Sequence, residues 1–223
     1  MEEMDGMEMM PEAYDIEPIA ETYGAEPRAD ESAIVTKALK CIDEIYPNEN
    51  TLNEGYLPTD AFINEAVRWV IDVVPSHELT LRKTLALTDE IVDNRTGIGR
   101  GKVADVGRII YFKAADWKRP VFGVINENDP RYIQQSNKVL RGNPSRPIVA
   151  LVEGKTRLEW YTTNSSEAVT VYHIPYSATN IPLHLEDLTA WKLAEIVLMS
   201  MHDTQGAAVC TTKVNEHLEI LAL

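Results

Sequence analysis

Apolar residues recur at helical spacing in the first third of the chain. Ile34, Val35, Ala38, Leu39, Ile42 and Ile45 predict a helix over Ser32–Tyr46, with Asp30 or Ser32 as its cap and Pro47 as its stop. Phe62, Ile63, Ala66, Val67, Val70, Ile71 and Val74 predict a second amphipathic helix over Thr59–Val74, bounded by Pro58 and Pro75. Ser76 is placed to cap a shorter helix from His77 to about Leu85.

The pattern then turns β-like. Val106–Ala114 and Pro120–Ile125 read as strands around "KAADWKRP", followed by an irregular stretch, Asn126–Arg146, with Pro130, Gly142 and Pro144. A meander follows. Ile148–Val152, Arg157–Tyr161 and Val169–Ile174 are its strands, with a turn at Glu153-Gly154-Lys155 and a loop at "TTNSSEA". Two helices close the chain, Leu183–His202 and Gln205–Leu221, and Asp203 and Thr204 between them predict a helical hairpin. The order of elements gives an α+β fold: a helical bundle (31–90 and 182–223) with an inserted small antiparallel β-region (about 103–176).

The helix from Leu183 changes this picture. From Trp191 to Met201 only Lys192, Glu195 and Ser200 are polar, and a helix apolar nearly all round is buried on several sides. In a domain this small, part of that cover is expected from another subunit. Trp191, Val197 and Met201, with Trp160 and Tyr172 on the β-region, are therefore candidate subunit-interface residues.

Charge divides the chain. Of a net −14, residues 1–31 contribute −10, with eleven acids against Arg28 alone. Residues 1–30, which include Pro11, Pro18, Pro27 and five of the seven methionines, read as an acidic arm outside the folded body (31–223). Tyr14, Ile16, Ile19 and Tyr23 are its candidate anchors on another subunit. No run of basic residues dominates, which argues against nucleic acid as an affinity partner. Two cysteines make no disulfide framework and fit a reducing compartment. "MEEMDGMEMM" lacks the apolar run of a signal peptide. Leu183–Met201 is rejected as a membrane span because Glu186, Asp187, Lys192 and Glu195 interrupt it.

Candidate chemistry is sparse. "RTGIGRGK" (Arg95–Lys102) has the glycines of a phosphate cradle, but they alternate, and Val103 follows the Lys where a P-loop needs Ser or Thr. It reads as a mobile cationic contact loop of Arg95, Gly97, Gly99, Arg100 and Lys102. No His stands in a metal-ligating pair, and the default for the five is surface or capping. Cys41 and Cys210 fall on apolar helix faces, as core residues do. The acids of "HLED" and "DEIVD" read as complements to helix dipoles. No catalytic residue, metal site or cofactor follows.

The segment from Arg146 to Leu221 resembles the C-terminal part of tailed-phage head–tail connector proteins, also called adaptor or neck ring proteins. In that family a short β-region leads to a proline turn and then two helices, the first rich in Ala and Leu, with an acid at the break. The matching residues are Pro147, Tyr172, Ile174-Pro175, Ile181-Pro182, Leu185, Leu188, Ala194, Asp203 and Ala207. "GRIIYFKAADWKRPV" and "DPRYIQQSNKVLRGNPSRP" are similar as well, so the likeness spans roughly Leu57–Leu221. The long acidic N-terminus departs from the minimal adaptor, and ring proteins of crAss-like phages are the nearest variant. The resemblance implies a homo-oligomeric ring, commonly twelvefold, in the neck of the virion. It would dock on the portal protein, present a surface to the next tail or collar protein, and pass double-stranded DNA without specific binding. It implies no enzymatic activity. An assembly factor outside the particle, and an enzyme using the Gly97–Lys102 loop, are the competing classes.

Overall fold

The computed structural model describes residues 28–47, 59–79, 82–163 and 169–221. The acidic arm up to residue 27, with its four candidate anchors, lies outside them, as do residues 164–168 of the "TTNSSEA" loop. The fold is α+β, with five α-helices and two sheets among the described residues.

Helix α1 spans Glu31–Ile45 and α2 spans Thr59–Val73, each within a residue or two of its apolar stripe. α1 buries Ile34, Ala38 and Ile42, and α2 buries Ile63, Ala66, Val67, Val70 and Ile71. Both lie against a late helix, Glu186–Ser200, which a short 3-10 turn at Leu183–Leu185 precedes. The last helix, Thr204–Leu221, packs along that same late helix and buries Ala207, Cys210 and Val214. Lys37 of α1 reaches across to Glu186 (3.0 Å) and Asp187 (2.6 Å) at the start of the late helix. Those carboxylates also face the positive end of the helix dipole.

Among the described residues, eight strands form the two sheets. β1 (Lys83–Thr84), β8 (Thr170–Ile174) and β4 (Arg108–Lys113) make a three-stranded antiparallel sheet in that order. The larger sheet has the order β2 (Thr88–Asp93), β3 (Ile98–Lys102), β7 (Arg157–Tyr161), β6 (Ile148–Val152), β5 (Ile125–Asn126). The alternation of β8 sets the layers. Tyr172 and Ile174 point to the helices, whereas Val171 packs between the sheets with Phe112, Trp117, Val149, Leu158 and Trp160. Arg108 joins the layers, because its guanidinium donates to the carbonyls of Ile71 and Val74 at the end of α2. That satisfies acceptors a helix end leaves open.

Several expectations are corrected. No helix follows His77. Residues 76–78 form turns, and β1 instead pairs with the edge of β8. The sheets therefore begin at Lys83 rather than near 103, and the helical part does not extend to residue 90. Of the strand expected at Pro120–Ile125, only a bridge between Phe112 and Val121 and the two-residue β5 form, with exposed Phe122 and Gly123 between them. "DEIVD" opens no helix, because Asp89–Asp93 belongs to strand β2.

The glycine-rich segment is not a mobile loop. Gly99, Arg100, Gly101 and Lys102 are strand β3, which pairs with β2 and with the central strand β7. Gly99 faces Trp160 across that ladder, and a Cβ there would stand 1.9 Å from the indole Cε2. Gly97 turns the hairpin at φ +70, which favours glycine. Lys102 pairs with Asp89 at 2.7 Å instead of reaching for phosphate.

Gly99→Ala should lower stability by about 1–3 kcal/mol, the usual cost of overpacking a filled core. Gly123→Ala, with no atom within 4 Å of the new methyl, should leave it within about 0.5 kcal/mol. Urea unfolding of both variants measures the difference.

Candidate functional site

Three of the five expected interface residues lie inside the chain's own cores. Trp191 (9% exposed) and Val197 (0%) are covered by the helices around Glu186–Ser200, and Trp160 (1%) by the two sheets. Cover for the over-apolar helix comes from α1, α2 and the last helix of the same chain, so its composition does not call for a second copy. Met201 is 53% exposed. Tyr172 is half-buried and begins an aromatic series, 5.4 Å from Tyr111, which in turn lies 6.0 Å from the exposed Phe122.

The outer face of the large sheet holds a buried carboxylate, which sequence reading did not single out. Glu159 on β7 receives Arg100 Nε at 3.0 Å, Arg157 at 3.1 Å and the Tyr161 hydroxyl at 2.6 Å. Tyr132 donates at 3.3 Å to Oε2, the oxygen that also accepts from Tyr161, while both arginines hold Oε1. Burial pushes this carboxyl up, but the Tyr161 hydroxyl and the two guanidiniums outweigh it and hold the group below its ordinary range. Burial beside the carboxylate pushes the Tyr161 and Tyr132 hydroxyls up, so both stay protonated donors. The carboxylate is thus fully engaged, the buried Arg157 Nε being the one cage atom without a partner among the described residues, and the consequence of the cage is mechanical. Through Tyr132 it anchors a short helix, α3 (Pro130–Gln134), on the sheet.

Beyond α3 the chain forms a loop with an internal staple. Gln135 is 2% exposed, and its amide donates to the Arg131 carbonyl (2.6 Å) and accepts from the Gly142 N–H (2.9 Å). Arg141 donates to the carbonyls of Gln135 and Thr96, both at 2.7 Å, tying the loop to the turn between β2 and β3. Thr162 donates to the Gly142 carbonyl, and Trp117 donates to the Thr162 carbonyl. Arg119 donates to the Ser145 carbonyl, so the 117–121 segment runs beside 143–148. Held by these bonds, the loop turns Ile133, Val139 and Leu140 outward at 74%, 89% and 57% exposure.

Three stretches far apart in sequence thereby meet at one pole of the molecule. They bring Arg95, Lys118, Arg119, Lys138, Arg141 and Arg146, and none of the six makes an ion pair among the described residues. Residues 113–146 carry seven cations and three acids in a chain of net −14. Of the expected contact loop, Arg95 and Gly97 lie at this pole, while Gly99, Arg100 and Lys102 run away from it along β3. Exposed apolar side chains on a loop that also brings cations together are a feature of interaction surfaces.

Other reactive groups have structural surroundings. Burial pushes the Cys41 and Cys210 thiols up to about 12, which leaves no thiolate near neutral pH. His173 is buried rather than at the surface, and its Nδ1 accepts the Gly107 N–H at 3.1 Å. Among the described residues no group of three His, Cys, Asp or Glu is placed to hold a metal, and no helix is long and apolar enough to cross a membrane. No protein-family model matches the chain, and no curated protein matches it in sequence.

Glu159→Gln should destabilise the protein by about 3 kcal/mol at pH 7, the low end for a broken buried pair, because both guanidiniums also reach water. The folded carboxyl titrates below its unfolded value, so its contribution is complete above about pH 4.3 and disappears as pH falls through the folded value. The gap between wild type and variant should therefore hold above about pH 4.3 and narrow as pH falls below it in urea titrations.

Proposed function

We propose that this protein is a non-enzymatic structural component of a tailed-phage particle: a connector that forms a ring between portal and tail and extends the DNA channel. The observation that carries the reading is an apolar tip held out rigidly from a bundle whose own core is complete. A loop stapled by a buried glutamine and fixed by an arginine keeps its order while leaving Val139 and Leu140 in water. A second group of exposed apolar residues, Leu183, Met199, Met201, Val209 and Ile220, lies on the helical layer. Exposed apolar residues on two unlike layers of one chain suit head-to-tail contact between copies, and such contacts make rings when the rotation closes. The order of β-region, proline turn and helical hairpin supports the same reading through its resemblance to connector proteins. Apolarity of the Glu186–Ser200 helix is no longer part of the case.

In this reading the pole meets a protein above or below the ring, either the portal or the next tail component. DNA crosses the channel without specific contact. A catalytic role draws no support from the glycine segment, whose Lys102 is engaged by Asp89 on an exposed strand pair.

Electron microscopy of the purified protein, alone and mixed with the portal protein of the same particle, should reveal closed rings, with mass spectrometry finding the chain in purified particles. Abundance in lysate with absence from particles would instead favour an assembly factor. The double variant Val139→Asp with Leu140→Asp should keep its melting temperature within about 3 °C, since both residues are exposed. It should lose at least about tenfold in incorporation, the cost of removing one interface hot spot.

A further inference from the structure

A cleft opens at the pole where the chain changes sheet. It measures about 330 Å³ and is lined by Arg119, Pro120, Val121, Arg146, Pro147 and Ile148. Val121 bridges Phe112 of the small sheet, whereas Ile125 pairs with Ala150 in the large one. β5 therefore reaches only Ala150 and Leu151 of β6, and Ile148 gains no strand partner on that side. The Lys118 N–H donates to the Pro144 carbonyl, and the Arg119 side chain donates to the Ser145 carbonyl. The two lining segments thus run side by side in one direction. Both arginines lie at one end of the cleft, and Val121 and Ile148 lie at the other. Pro120 and Pro147 between them have no N–H to offer.

The arginine end is charged and held in place. Arg119 Nε and Nη2 both donate to the Ser145 carbonyl, at 2.9 and 2.5 Å. A carbonyl orients a guanidinium without cancelling its charge, and a fork already oriented loses little freedom on meeting an anion. Lys37, Arg100, Lys102, Arg131 and Lys213 each face a carboxylate, but Arg119 and Arg146 face none among the described residues. Charge complementarity calls for an anion at this end, and the aliphatic end calls for an apolar group attached to it. We propose that the cleft binds an extended segment of a partner protein in which acidic and aliphatic side chains are neighbours. A carboxylate would sit by Arg119 and Arg146, and the aliphatic group against Val121 and Ile148. The volume is at the low end for a ligand site, which suits a short segment. A nucleic acid brings phosphates but no aliphatic side chain for the far end, and a chain of net −14 repels a long polyanion. This assignment rests on the pole facing another protein, whereas ring formation does not enter it.

The test is fluorescence anisotropy of the full-length chain with a fluorescein-labelled peptide, Gly-Glu-Leu-Glu-Leu-Glu-Gly, at low salt. Saturable binding is expected. Arg146→Glu should weaken it at least about tenfold, a loss of about 1.4 kcal/mol. Arg146 is exposed, and among the described residues only its main-chain atoms are bonded, to Asn143, so circular dichroism should be unchanged. If that variant unfolds, Arg146→Gln takes its place, with a loss of at least about threefold. Lys213→Glu on the last helix alters the net charge equally and should leave binding as it was. A probe with serine in place of leucine should bind at least about threefold more weakly, because the aliphatic contact is gone. No saturable binding, an equal loss in Lys213→Glu, or a serine probe that binds as well as the first would overturn the proposal. Tighter binding of a labelled oligothymidylate would overturn it in favour of nucleic acid. Closed rings seen by microscopy would stand whichever way the titration falls.

Discussion

The helix Glu186–Ser200 has no polar face, and that constraint arranges the molecule. Leu188, Ala190, Leu193, Ala194 and Val197 are each at most 1% exposed, so the helix must be enclosed on nearly every side. Burying each of the larger ones contributes about 1.5–3 kcal/mol. α1, α2 and the last helix supply the enclosure, and Tyr172 and Ile174 of β8 join the same core. The three-stranded sheet is consequently fixed to the bundle, and Arg108 adds hydrogen bonds where α2 ends. The large sheet in turn stands on the small one through Phe112, Trp117 and Trp160. Each layer takes its place from the one beneath it.

At the far side of this stack the chain changes purpose. Buried polar groups there hold backbone segments together instead of filling a core. Glu159 fixes the hydroxyl of Tyr132 and so the position of α3, while Gln135 and Arg141 close the loop that follows. Such satisfied networks rigidify a region without adding apolar contact. Order at the pole therefore survives although Val139 and Leu140 contribute little to it, and that combination separates a docking element from a slack loop.

Periodicity made much of this fold legible. The stripes of α1 and α2, the strands β6, β7 and β8, and the hairpin break at Asp203 are local signals, and each element falls where its pattern places it, but the expected meander does not form, because β7 pairs with β3 and β8 crosses to the small sheet between β1 and β4. Errors came where tertiary partners override local chemistry. Glycines at 97, 99 and 101 have the composition of a loop, yet Trp160 requires a bare backbone at 99 and turns the segment into a strand. The over-apolar helix was legible as buried, but sequence alone does not distinguish cover by the same chain from cover by another. The pole was illegible for a different reason. Arg119 and Lys138 sit in stretches of unremarkable charge, Arg95 reads with the cationic glycine segment, and only the Arg141–Thr96 and Arg119–Ser145 bonds bring the three stretches together.

The staple at Gln135 grips only main-chain atoms, the Arg131 oxygen and the Gly142 nitrogen. Side chains from Ser136 to Leu140 are all exposed and largely outside that grip. Substitution can therefore accumulate at the apex while the scaffold stays intact, so recognition is free to diverge faster than architecture. Related chains would then share the frame and differ at the crown, and a foreign epitope grafted there should inherit a ready-made rigid mount.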